Sequence, residues 1–323
     1  ERGERGATVR VRLAFETDPP QLSGNDPFYH KRVVDHIQET YLHMRFDPML
    51  NYPLQLVNPR PPVFDWSIAL GGVILSPLFG GDTAASTWFV MEFAPAFWGA
   101  LAVVPVFFLT KDMFGERAAF ISAFLIAITP SNIERSPLGF SDHDSFVVFF
   151  VIVTFLFLAR SYGSIRGTRW VEDWSRPADI SRGFMRFVEN NRIAMLYAIL
   201  SGFALAAIAM AWEGFGYVVV IIMVCYLFQL VFNRFRNEDS MGIFLATVTA
   251  LFTAMFVSLP YYSSYSINTW MNPFVIVMAI VVAGVFLVPT RDYPWIMVLP
   301  MLLAVTLSAY YLLNHFAPDV AEN

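Results

Sequence analysis

Arg135-Ser136-Pro137-Leu138-Gly139-Phe140-Ser141-Asp142-His143-Asp144 sets a cation and two carboxylates between two apolar runs, each long enough to cross a bilayer. Charges at the edge of a membrane are costly to desolvate and usually face a cavity or ligand rather than lipid, so a functional site is the first reading of this stretch. A second acidic turn, Gly24-Asn25-Asp26-Pro27, lies far upstream and is expected to converge on the same place.

The surrounding composition gives the class. Of 323 residues, 56% are hydrophobic and 15% charged, with a mean hydropathy of +0.53, whereas a soluble domain carries roughly 25% charged residues. The chain is expected to be an all-α polytopic membrane protein. Its one cysteine, Cys225, lies inside an apolar run and supplies neither an internal disulfide nor a paired thiolate site. A net charge of -5, with basic residues dispersed along the chain, argues against nucleic-acid binding.

Residues 1–66 read as a long first external loop, rich in proline and holding short helices. Glu1 to Gly6 is charged and no apolar core follows, so no signal peptide is expected there, and a preceding transmembrane helix is expected upstream of this sequence. Residues 67–313 read as a transmembrane domain of about eight spans plus one interfacial or re-entrant helix. That helix is Val63 to Phe79, apolar but interrupted by Gly71, Gly72 and Pro77. The spans are Thr87 to Thr110, Ala118 to Ile133, Phe146 to Ala159, Ile193 to Trp212, Phe215 to Phe232, Ile243 to Pro260, Pro273 to Pro289 and Trp295 to Leu313. Residues 314–323 would begin a further external loop. If the Asp26 loop is external, twelve of the thirteen basic residues after Arg60 fall on the inner side and Arg135 alone outside, as the positive-inside rule prefers. Asp26, Asp142, Asp144 and Glu213 then share the external face.

Carboxylates gathered without histidine or cysteine partners make a hard oxygen site, suited to Mg2+ or Mn2+ rather than zinc. Asp142 and Asp144 would point apart in a regular helix. Both reach one ion only if Gly139 to Asp144 is an irregular lead into a helix beginning near Ser145. Simpler readings stay open: Asp26 before Pro27 can cap a helix, as can Ser141 or Asp142, and Arg135 can snorkel at the boundary. His143 is either a metal ligand or a polar residue facing water; His30 and His36 read as structural or interfacial. Tyr261, Tyr262, Tyr265 and Trp270 read as an interfacial aromatic turn.

In combination the motifs say more. Ser23-Gly24-Asn25-Asp26-Pro27-Phe28-Tyr29-His30-Lys31-Arg32 in a first external loop, followed after two crossings by Arg135 seven residues before Asp142-His143-Asp144, resembles the catalytic subunit of oligosaccharyltransferase in its archaeal AglB-like form. Asn58-Pro59-Arg60-Pro61-Pro62 and Ala211-Trp212-Glu213-Gly214-Phe215-Gly216-Tyr217 share the likeness. The resemblance implies a C-superfamily glycosyltransferase (GT-C) fold and transfer of an oligosaccharide from a dolichyl phosphate or pyrophosphate carrier to asparagine in Asn-X-Ser/Thr sequons of an acceptor protein. It implies that Asp26, Asp142 and Asp144 bind Mn2+ or Mg2+ and act in catalysis with Arg135, and that Trp212 lies by the lipid-linked sugar. It also implies an archaeal cell membrane with the active site on its external face. The acidic motif of the family's fifth external loop and its sequon-reading globular domain have no counterpart in this sequence. Two other classes remain to be separated from this one: another lipid-phosphosugar transferase of the same fold, acting on serine, threonine or lipid, and an ion-coupled transporter.

Overall fold

The computed structural model describes residues 22–53, 56–167, 170–264, 267–290 and 293–316. The sequence expectations placed on the Arg291 turn, on Tyr265 and on the tail from residue 317 lie outside them. The described chain is helical apart from one short antiparallel pair. It divides into two units, the first running to Ile152 with Met210–Trp212 added, the second comprising Val153–Ala209 and Glu213 onward.

In the first unit, helix α1 (Asp26–Thr40) starts at Asn25, carries Pro27 in its first turn and stops where Tyr41 turns left-handed at φ 59°. Its buried residues Pro27, His30, Val33, Val34 and Ile37 recur at helical spacing, so one face is apolar. That face lies on α2 (Val63–Leu75), which continues through a short 3-10 turn, Ser76–Phe79. Between them β1 (Phe46–Asp47) pairs with β2 (Leu56–Val57), Phe46 opposite Val57. Asp47 is fully buried and tied to Arg32 of α1, which fixes the hairpin to the helix.

Helix α3 (Thr83–Leu101) begins at an Asp82 cap whose side chain accepts from Ala85 N, and runs into α4 (Val103–Phe114). Gly115 turns the chain at φ 87°, and α5 (Glu116–Ile128) returns along α4. The expected span from Ala118 to Ile133 is not one helix. Thr129 is extended and α6 (Pro130–Arg135) follows as a separate piece, because a proline disfavours helical geometry in the residue before it. Gly99 lets α6 approach closely: a Cβ there would stand 2.4 Å from the Cβ of Ser136. Helix α7 (Asp144–Gly163) completes this unit with its N-terminal half, where Trp98 of α3 packs against Phe146, Phe149 and Phe150.

The second unit holds the rest of α7, α8 (Pro177–Asn190), α9 (Arg192–Ala209), α10 (Gly216–Phe235), α11 (Met241–Ser264), α12 (Ile267–Leu287) and α13 (Trp295–Phe316). Its tightest pairing is α9 on α11. There Gly202 faces Ala250 and Thr253, and the Tyr262 hydroxyl donates to Ala209 O at 2.6 Å. Tyr261 and Tyr262 therefore belong to the end of a helix and are buried, not part of an interfacial turn.

Among the described residues, five helical stretches are long and apolar enough to cross a membrane: Thr83–Phe114, Asp144–Gly163, Arg192–Ala209, Glu213–Phe235 and Met241–Ser264. Large apolar side chains such as Phe228 and Phe256 point outward from them, an arrangement that suits lipid rather than water.

Candidate active site

The two acidic turns meet through backbone. Gly139, at φ 81°, accepts from Ser23 N at 2.9 Å and donates its own N–H to Glu92 O of α3 at 2.9 Å. Leu138 to His143 is irregular and Asp144 is the first residue of α7, close to the lead predicted from the sequence. Asn25, not Asp26, stands at the cap position of α1 and makes no side-chain capping bond. The Asp26 carboxylate instead accepts from Arg60 Nη2 at 2.6 Å.

Arg60 is the link between the turns. Its other terminal nitrogen, Nη1, lies 3.7 Å from Asp142 Oδ1 and 3.3 Å from His143 Nδ1. The loop that carries it is held by Asn58, buried, whose side-chain oxygen accepts from Arg60 N and from the Tyr29 hydroxyl and whose amide donates to Met44 O. One guanidinium thus spans Asp26 and Asp142.

Asp142 is nearly buried, its side chain 8% exposed, and nitrogen atoms surround one of its oxygens. His143 Nδ1 stands at 2.6 Å, the His143 backbone N–H donates at 2.7 Å, and His30 Nε2 lies at 3.4 Å. Burial alone would raise this carboxyl, but hydrogen bonding from His143 first, and then the nearby His30 ring, hold it well below the usual carboxylate range. His30 is itself enclosed between Asp142 and Asp65: its Nδ1–H donates to Asp65 Oδ1 at 2.6 Å. Burial would push that imidazole down, yet Asp65 above all, with Asp142, raises it to about 9. Phe64 closes the apolar side, its ring 5.0 Å from His30 and 5.9 Å from Phe146.

Asp144 turns elsewhere. It accepts from Arg135 Nη1 at 2.9 Å, and the pair lies on the wall of a cavity of about 670 Å³ with His143 and Trp212. The remaining lining is chiefly apolar, including Ile126, Val147 and Val151. His143 faces both sides, toward Asp142 and into the cavity. Among the described residues, the ligand atoms close enough to share one ion come from His30, Asp142 and His143, all within 4.8 Å of one another. Asp26 reaches this group through Arg60, and Asp144 borders it. Sequence reasoning placed His30 as structural and gave no role to Asp65; their pairing joins two helices 35 positions apart and leaves no local signal in either.

Membrane-crossing helices with a cavity walled by Arg135, His143, Asp144 and Trp212 define an integral membrane protein of the GT-C glycosyltransferase fold. The chain belongs to the family described as oligosaccharyl transferase STT3, N-terminal, whose model matches residues 15–298. A dolichyl-phosphooligosaccharide-protein glycotransferase of Archaeoglobus fulgidus, the third of that name, is 29% identical over 248 residues, covering 76% of this chain and 26% of its own length. This chain therefore spans about a quarter of that relative. The apo crystal structure of an Archaeoglobus fulgidus oligosaccharyltransferase superposes with a TM-score of 0.73 at 25% identity, covering 94% of this chain and 35% of that one. A structure of the AglB enzyme from that organism, with an inhibitory peptide and a dolichol-phosphate, superposes at 0.72 and 25% identity over 93% and 34%.

Proposed function

We propose that this chain forms the membrane-embedded catalytic part of an oligosaccharyltransferase, transferring an oligosaccharide from a dolichyl phosphate or pyrophosphate carrier to the asparagine amide of Asn-X-Ser/Thr sequons. The observation that carries the reading is the union of Asp26, Arg60 and Asp142 beside a cavity walled by Arg135, Asp144 and Trp212. The family's relatives supply the chemistry by name, one as a dolichyl-phosphooligosaccharide-protein glycotransferase and one solved with dolichol-phosphate. The strong bias of basic residues toward one side supports an external active-site face.

Asp142 and His143, with Asp26 once Arg60 turns aside, are the residues that would hold the divalent ion, Mn2+ or Mg2+. When bound, such an ion neutralises negative charge on a departing phosphate. The chain's own residues do the rest. Asp26 stands at the outer side of the site, about half exposed, where a carboxylate meets an incoming peptide. By accepting from the acceptor amide it draws the nitrogen lone pair out of conjugation with the carbonyl, against a full rotational barrier of about 18–20 kcal/mol. Arg135, paired with Asp144 and half exposed, offers a planar fork to an anionic carrier. Trp212 and the apolar lining exclude water from the first carrier atoms.

The test uses the full-length protein in detergent with Mn2+, lipid-linked oligosaccharide and a labelled Asn-X-Thr peptide. A glycopeptide modified at asparagine is expected, and none from the Gln-X-Thr peptide. Modification of serine, of threonine or of lipid, or no transfer at all, would overturn the reading. In the same assay, Trp212→Ala is expected to raise the KM for the lipid carrier about tenfold while the peptide KM stays put, since a buried aromatic contact is worth on the order of 1 kcal/mol. A change confined to the peptide KM would remove Trp212 from the carrier site.

A further inference from the structure

The geometry points to His30 as a ligand of the same ion, held in its ligating orientation by Asp65, which gives the site a preference for first-row transition ions over Mg2+. This rests on the metal reading above.

Two features of His30 point this way. Its Nε2 is fully buried and makes no well-formed hydrogen bond; its close neighbour of opposite charge is Asp142 Oδ1, at a long 3.4 Å. A buried polar atom left in that state costs on the order of 1–3 kcal/mol. Behind it, Asp65 is 0% exposed and takes up the other ring nitrogen at 2.6 Å. A carboxylate on one nitrogen of a buried imidazole, with the second nitrogen aimed at a group of donors, is the arrangement that sets histidine ligands in metal sites.

The donors converge. His30 Nε2, Asp142 Oδ1 and His143 Nδ1 lie within 4.8 Å of one another, and an ion about 2.1 Å from each would need donor separations of roughly 3–4 Å. Seating it takes shifts of about an ångström. Arg60 Nη1 now lies beside two of the three, at 3.7 Å from Asp142 and 3.3 Å from His143, and has to turn aside. Its Nη2 keeps Asp26 at the edge of the group. The donor set is then two imidazoles and one or two carboxylates. Imidazole suits Zn2+ and Fe2+ and, at the weak end of the same transition series, is accepted by Mn2+, whereas Mg2+ prefers oxygen ligands and keeps its waters. Asp65 acts as a positioning residue and does not touch the ion.

Mn2+ is both probe and ligand in the test. Pulsed EPR of Mn2+ bound to the full-length protein is expected to give nitrogen couplings from two imidazoles, falling to one in His30→Gln, with Mn2+ affinity reduced. Asp65→Asn is expected to keep both couplings and bind Mn2+ about 10–100-fold more weakly, which separates positioning from ligation should His30→Gln fold poorly. Mg2+ should displace bound Mn2+ only at a large excess. Unchanged nitrogen couplings in His30→Gln, or unchanged Mn2+ affinity in Asp65→Asn, would overturn the inference while leaving Asp142 as a ligand. If Asp142→Asn binds Mn2+ as tightly as the parent protein, the metal reading falls and this inference with it.

Discussion

Asp142→Ala is expected to abolish high-affinity Mn2+ binding and to cut glycan transfer by about 1000-fold or more. A bound ion contributes several kcal/mol of charge stabilisation, and each 1.36 kcal/mol is a factor of ten in rate. The structure makes this carboxylate the centre of the group: His143, His30 and Arg60 all direct nitrogen atoms toward one of its oxygens. Removing it leaves the nitrogen atoms of His143, His30 and Arg60 facing one another with no carboxylate between them, Asp65 and Asp26 lying on the far sides of His30 and Arg60, so a cation no longer has a seat. Asp142→Asn separates charge from shape. It keeps an oxygen for the His143 backbone N–H yet loses the charge, and it should be nearly as inactive as the alanine variant. Activity of either variant within tenfold of the parent, measured with saturating Mn2+ and carrier, would show that the reaction does not pass through this site.

Gly202→Leu is expected to prevent stable folding of the second unit, seen as loss of monodisperse protein or a large drop in thermal midpoint. A Cβ at this position would fall 2.5 Å from the Cβ of Thr253 and 2.6 Å from the carbonyl oxygen of Ala250. One of those neighbours is backbone, so no rotamer change relieves the overlap and α9 must move off α11. Overpacking of a close interface costs about 1–3 kcal/mol and occasionally more, and here the extra side chain begins from a collision at its first carbon. Small residues let helix backbones approach in membranes, where burial from water no longer drives association. A Gly202→Leu variant with an unchanged thermal midpoint would mean that these helices do not meet as described.

Much of the site was legible because its residues are short-range motifs. Asp142-His143-Asp144 after Gly139 predicted an irregular lead, and Gly139 takes the left-handed conformation that breaks the chain direction there. The convergence of the Asp26 turn on this lead followed from counting crossings, and the Ser23 to Gly139 hydrogen bond is its physical form. The division of labour between Asp142 and Asp144 was not legible. It depends on Arg135 at the end of α6 claiming Asp144, a contact decided by the angle at which a short helix leaves Pro130. That break was written in the sequence: Thr129 before a proline is the signal, and the polar Ser131 and Asn132 that follow already interrupt the apolar run. Arg60 stood in a quoted motif, but its role depends on a loop folded by Asn58 and Tyr29 from separate segments.

Because the Ser23 to Gly139 junction runs main chain to main chain, the aspartate side chains contribute nothing to it. Many metal centres are held together by the ion itself and fall apart under chelators; here main-chain hydrogen bonds also join the two turns. Inactive variants at Asp26 or Asp142 should therefore keep the parent shape, and carrier or peptide bound to them would be trapped as an honest picture of the unreacted complex.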